Sequence, residues 1–215
     1  MRRNIVLFTV LILFFLPSIS YSGNAQVSKA VNLIKTGKYD EAISILKERI
    51  VEQPNDADAY LQMARAYHWK KEFNTAYKYY KEAAIHNHRY KTEIIGLLDE
   101  LEKWQEIIDI AAPEIKAGNK TPSILGSLMT AYTKTKLIAE ADRVLNILKN
   151  TLYQKQWQID YKNYVLAYYF LSRNKAELAK KHLRKIVSPG YRKYARTSPK
   201  FKKLYSDPEF IEITK

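Results

Sequence analysis

Four histidines, His68, His86, His88 and His182, are the side chains of this 215-residue chain whose ordinary pKa lies near neutrality. Their spacing does not build a metal or proton-transfer site. His86 and His88 flank Asn87 at an expected turn, while His68 and His182 fall on separate expected helices, and nothing reads His-Glu-x-x-His. There is no Gly-x-Ser-x-Gly elbow, and the six glycines form no phosphate-cradling loop. The absence of cysteine removes disulfides, thiol catalysis and zinc–thiolate sites together. Asp99, Glu100 and Glu102 read as one solvated helix face. The expectation is therefore a chain with no catalytic residue, no metal and no cofactor, that is, not an enzyme.

The basic residues offer a different chemistry. The formal net charge is +14, and residues 172–203 carry twelve Lys or Arg against the single acid Glu177. Lys180, Lys181, Arg184 and Lys185 recur at i, i+1, i+4 and i+5, one side of a helix. Arg192, Lys193 and Arg196 continue the run, followed by Lys200, Lys202 and Lys203, with Tyr191, Tyr194 and Phe201 interleaved. One reading is a solvated face with cations placed late in a helix, where its dipole favours them. The other is a site for an anionic partner: lipid headgroups, an acidic glycan or an acidic protein. Nucleic acid is disfavoured by the export signal at the other end of the chain.

That signal has three parts. Arg2 and Arg3 are positive, residues 5–16 are apolar apart from Thr9, and Ser20-Tyr21-Ser22 places small residues for a cut before Gly23. The apolar run is shorter than the ~20 residues of a spanning helix, so a cleaved signal peptide over 1–22 is favoured over an uncleaved anchor. Export to the periplasm or beyond is the expected localisation, leaving a mature net charge of +12.

The elements that would position any site repeat along the chain. Ala42, Ala76, Ile107, Ala141 and Ala179 form one column, spaced by 34, 31, 34 and 38 residues. Three residues before each stand Tyr39, Phe73, Trp104, Ile138 and Ala176. Nine before the first column stand Leu33, Tyr67, Leu98, Tyr132 and Phe170, and three earlier still Ala30, Ala64, Ile95, Met129 and Ala167. Small residues let antiparallel helices approach, and large ones fill the wedge between hairpins. Apolar i, i+3, i+4 spacing predicts helices over 25–36, 40–52, 57–70 and 74–85, with Thr36-Gly37 and 53–56 as turns. Pro122 suits the first turn of a further helix. Ser188-Pro189-Gly190 reads as the end of the last repeat helix, Ser198-Pro199 opens a short helix through Tyr205, and Asp207-Pro208 another through Ile211.

With Gly37, Ala42, Pro54, Ala64, Tyr67, Ala76 and Ala83 in place, the chain resembles the tetratricopeptide repeat family, bacterial exported type. The repeats fall at about 23–56, 57–90, 91–121, 122–155 and 160–193, and the tail 194–215 is similar to the closing segment of many bacterial members. The third is three residues short, with Ile107 where a small residue is usual, and the fifth has Ala176 where an aromatic is usual. The resemblance implies an all-α, right-handed superhelical solenoid of about five helix-turn-helix hairpins with short C-terminal capping helices. Phe201, Leu204 and Phe210 are expected to cover its last apolar face. It also implies a concave groove lined by Arg65, His68 and Trp69, by Asp99, by Thr130, Thr133 and Lys134, and by Tyr161, Tyr164 and Tyr168. That groove would hold a protein or peptide partner of the cell envelope, with the chain itself a monomer. Val27 and Val31 stand where chaperone-binding relatives carry Lys and Asn, so a carboxylate clamp is not expected.

Overall fold

The computed structural model describes the backbone of residues 18–215 and side chains from 25 onward. The expected signal peptide therefore lies almost wholly outside the described residues. Helix α1 already runs at Ser18, seven residues before the sequence pattern places its start, and ends at Lys35. The described residues contain no strand. No helix among them is long and apolar enough to cross a membrane.

The chain divides into two compact units, Met1–Leu97 and Leu98–Lys215. In the first, α1 pairs with α2 (Tyr39–Glu52) and α3 (Ala57–Trp69) with α4 (Phe73–His86), followed by a 3-10 turn, His88–Thr92. Ala30, Ala42, Ala59 and Ala66 bring these helices together, and Ile43, Leu46 and Met63 fill the space they leave. Asp56 caps α3 by accepting from Ala59 N at 3.1 Å. Its other oxygen accepts from the buried Arg49 Nε at 2.6 Å, so one carboxylate ties α2 to the start of α3.

The division falls inside α5 (Ile95–Glu100), the short first helix of the third repeat. The second unit continues with α6 (Trp104–Lys116), α7 (Pro122–Lys134), α8 (Ile138–Asn150), α9 (Gln156–Ser172) and α10 (Ala176–Leu183). Helix α7 packs on α6, α8 and α9, and α10 packs on α9. Three further pieces follow: α11 (Pro189–Thr197), a 3-10 helix (Pro199–Leu204) and α12 (Pro208–Ile213). Helix α11 corrects the sequence reading. The last repeat helix stops at Leu183, and Ser188-Pro189 opens a new helix instead of ending an old one. Phe201, Leu204 and Phe210 are buried as expected.

Five turns share one backbone signature. Gly37, Lys71, Glu102, Lys136 and Asn174 all adopt positive φ, between 55° and 79°. In each, the next residue's N–H bonds back to the carbonyl of Leu33, Tyr67, Leu98, Tyr132 or Phe170, at 2.8–2.9 Å. This is the Schellman closure of a helix C-terminus. Its positions repeat at 34, 31, 34 and 38 residues, the spacing of the small-residue column five positions on. That whole column, Ala42, Ala76, Ile107, Ala141 and Ala179, is fully buried. The shortened third repeat and the degenerate fifth thus keep the hairpin turn.

Candidate functional site

In the second unit, the first helices of the hairpins present Asp99 on α5, Thr130, Thr133 and Lys134 on α7, and Tyr161, Tyr164 and Tyr168 on α9. The structure lays the chain's own residues 189–204 across this face. On α9, Tyr161, Tyr164 and Tyr168 follow i, i+3, i+7 spacing and line one side. Tyr191 and Tyr194 on α11 repeat the i, i+3 step and meet them. Tyr161 stands edge-on to Tyr191 at 6.1 Å between ring centroids, and Tyr164 lies 5.1 Å from Tyr194. Phe201 then inserts fully, 5.3 Å from the Tyr164 ring and 6.4 Å from Tyr168, both edge-on. The Tyr164 hydroxyl and Ser198 Oγ share a buried hydrogen bond of 2.9 Å. Lys200 Nζ donates to Asp99 Oδ2 at 2.5 Å and lies 5.2 Å above the Tyr168 ring.

Burial raises the Tyr161 and Tyr164 phenols well above their ordinary value, with Tyr194 and other neighbouring acidic groups adding to it. Both stay neutral at any physiological pH. Tyr164 was expected to line an open groove; it is instead 4% exposed and covered by the tail. Thr130 is also buried, its hydroxyl donating to Gly126 O at 2.9 Å.

A buried carboxylate sets where the covering segment begins. Asp160 on α9 has no exposed surface and accepts from Val187 N at 3.0 Å, Ser188 N at 3.1 Å and Gln156 Nε2 at 3.0 Å. It also accepts from Ser188 Oγ. Burial pushes its pKa up, but these hydrogen bonds outweigh burial and the net shift is downward. At the far end, Lys180 is buried and donates to Glu177 at 2.8 Å, Asp207 at 3.1 Å and Glu209 at 2.6 Å. Glu177 foremost, and then Asp207, raise its pKa against the lowering effect of burial. Arg184 pairs with Glu209 as well.

These contacts correct the picture of Lys180, Lys181, Arg184 and Lys185 as one solvated cationic row. Lys180 and Arg184 hold α12, and Arg192 Nε donates to Ile186 O at 2.9 Å. Lys181, Lys185, Lys193 and Arg196 face solvent.

A cavity of about 400 Å³ remains beside the covered tyrosines, between the C-terminal ends of α7 and α9 and the 3-10 helix 199–204. Thr133, Lys134 and Tyr168 line it from the repeats, and Lys200, Lys202 and Lys203 from the tail.

In the first unit, Arg65 pairs with Glu93 at 2.7 Å. His68 packs edge-on to Phe73 and Tyr80. Trp69 leaves 61% of its surface in water. The other histidines are also placed against aromatic rings or near turns: His86 stacks on Tyr60, and His182 on Phe170.

Residues 33–98 match the tetratricopeptide repeat family. That segment carries the tetratricopeptide repeat. Solved structures similar in fold include nearly identical TPR-like repeats of a Podosopora anserina kinesin light chain, 15% identical with a TM-score of 0.57 over 81% of this chain and 97% of that one. A MamA crystal structure is 16% identical, with a TM-score of 0.54 over 73% and 91% of the two chains. MamA of AMB-1 is 14% identical, with a TM-score of 0.54 over 88% and 99%. At these identities the likeness is one of fold. No curated protein matches the sequence. Tetratricopeptide repeats form a non-catalytic scaffold fold that generally works through protein interactions. Sequence reasoning missed Asp160, and it set Tyr191 and Tyr194 among the basic run and Ser198 at a helix start without seeing that these residues cover the chain's own face. The i, i+3 tyrosine pair following Ser188-Pro189 was the available signal.

Proposed function

We propose that this chain is an exported scaffold that binds a protein or peptide partner on the first-helix face of its repeats. In the second unit that face alternates between the partner and the chain's own residues 189–204. One observation carries the reading: the face already holds a peptide-like segment through stacked tyrosines, an inserted Phe201 and the Asp99–Lys200 pair. Such aromatic anchors bury much area while freezing few torsions. Export rests on Arg2, Arg3 and the apolar run 5–16, and cell fractionation tests it.

A fluorescent synthetic peptide covering residues 187–206, titrated to millimolar concentration against the full-length protein so that it can compete with the tethered segment, tests the binding face. Lys200→Ala weakens the resident segment without touching the core, so this variant should bind the peptide at least threefold more tightly than the unaltered chain. Adding Tyr168→Ala should reverse the gain. If the peptide binds neither protein, or binds both equally, the face is not a peptide site.

A further inference from the structure

We infer that the 400 Å³ cavity between α7, α9 and the 3-10 helix is a binding site for a multiply charged oxyanion of the phosphate class, free or as a phosphate ester. Four lysines line it, Lys134 from the repeats and Lys200, Lys202 and Lys203 from the tail, and no carboxylate is among its lining residues. Among the described residues, Lys200 is the one of the four that is neutralised, by Asp99. Lys134 stands over the Trp104 ring, Lys203 donates to the neutral Asn174 Oδ1 at 3.3 Å, and Lys202 has no side-chain partner among the described residues. Laying the tail on the repeats therefore sets three solvent-exposed lysines, without a carboxylate partner among the described residues, around one cavity, a setting that favours an anion.

The lining also selects the kind of anion. No arginine takes part, so the planar two-pronged recognition that favours a carboxylate is missing, whereas lysines bind phosphate as point charges. The Thr133 hydroxyl donates to Met129 O and the Ser172 hydroxyl to Tyr169 O, so neither is a free donor. Tyr168 also lines the cavity, and its hydroxyl has no hydrogen-bond partner among the described residues, which leaves it able to donate to an anion. Recognition thus rests on charge, and a dianion or higher is preferred. The volume exceeds that of a single oxyanion, leaving room for a second phosphoryl group or an ester substituent. An anion here bridges α7 to the tail and so clamps residues 199–203 in place. The site stands apart from the partner reading, because it needs the tail in place and not displaced.

Titration of the full-length protein with pyrophosphate, at constant ionic strength set by potassium chloride, tests the site by calorimetry and by the thermal midpoint. Pyrophosphate should bind and raise the midpoint. Lys134→Gln and Lys202→Gln should each weaken binding about three- to tenfold, and the triple change with Lys203→Gln should abolish it. Lys181→Gln with Lys185→Gln, which removes two solvent-facing cations elsewhere, should leave affinity unchanged. Phenyl phosphate binding more tightly than orthophosphate identifies an ester as the ligand, and the reverse order a free anion. A triple variant that binds like the unaltered chain overturns the site. So does an equal loss in the Lys181/Lys185 control, since the attraction is then only the general charge of this end.

Discussion

Acidification should loosen the second unit through His182, by an amount that can be worked out. The imidazole stacks on Phe170 at 5.4 Å between centroids, with the planes 11° apart, and its Nδ1 lies 3.1 Å from Asn163 Oδ1. Burial, then the charges of Lys185, Lys149, Lys181 and Lys162, lower its pKa from 6.5 to about 4. Below pH 6.5 the unfolded chain takes up a proton that the folded chain refuses until about pH 4. Stability from this residue is therefore full above 6.5 and drains as pH falls toward 4. At about 1.4 kcal/mol per unit, the whole drop is worth roughly 3 kcal/mol, and about 2 kcal/mol is already lost at pH 5. Because the ring is only half-buried, solvent screening reduces this to about 1 kcal/mol at pH 5. With a urea slope of about 1–3 kcal/mol per molar, the midpoint should fall by roughly 0.3–1 M between pH 7.5 and 5. The informative quantity is the difference from His182→Gln, which cancels every pH effect the two proteins share. That variant keeps a donor for Asn163 and cannot ionise, and its midpoint should vary less with pH by that amount. Equal pH slopes for the two proteins would refute the argument.

Three other outcomes follow from the packing. A Cβ at Gly126 would lie 2.7 Å from Val165 Cγ2, and valine cannot swing away, so Gly126→Ala should cost about 1–3 kcal/mol in urea unfolding, mostly recovered by adding Val165→Ala. Lys136 holds φ 62° at its turn, so Lys136→Gly should stabilise the chain by up to about 1 kcal/mol, read as a higher thermal midpoint. Phe201 is fully buried, and Phe201→Ala should destabilise the second unit by about 3–5 kcal/mol and increase the hydrogen exchange of residues 189–204.

Much of the repeat was legible because it is written in side-chain volume. A buried column of Ala42, Ala76, Ala141 and Ala179 leaves a strong imprint, and Ile107 keeps its place in that column despite its bulk. The turn position was legible only at Gly37. Lys71, Glu102, Lys136 and Asn174 adopt the same left-handed backbone without the residue type that announces it, because the closing hydrogen bonds hold them there. Helix α11 was misread because Ser188-Pro189 suits both the end of one helix and the start of the next. The site was less legible still. Lys180 meets Asp207 and Glu209, 27 and 29 positions away, and Lys200 meets Asp99 from 101 positions away. Helical periodicity places Lys180 beside Lys181 and Arg184, yet says nothing of carboxylates brought over by the tail.

Residues 189–204 are fastened at both ends to a single hairpin, by Asp160 on α9 and by Lys180 and Arg184 on or just after α10. A segment tethered that closely competes as though dissolved at a concentration on the order of millimolar. A free peptide that reproduced its contacts one for one would therefore still lose at micromolar concentration. If the face binds a partner as proposed, only a ligand offering contacts the segment lacks would win, and the tail would set a threshold that incidental peptides do not cross.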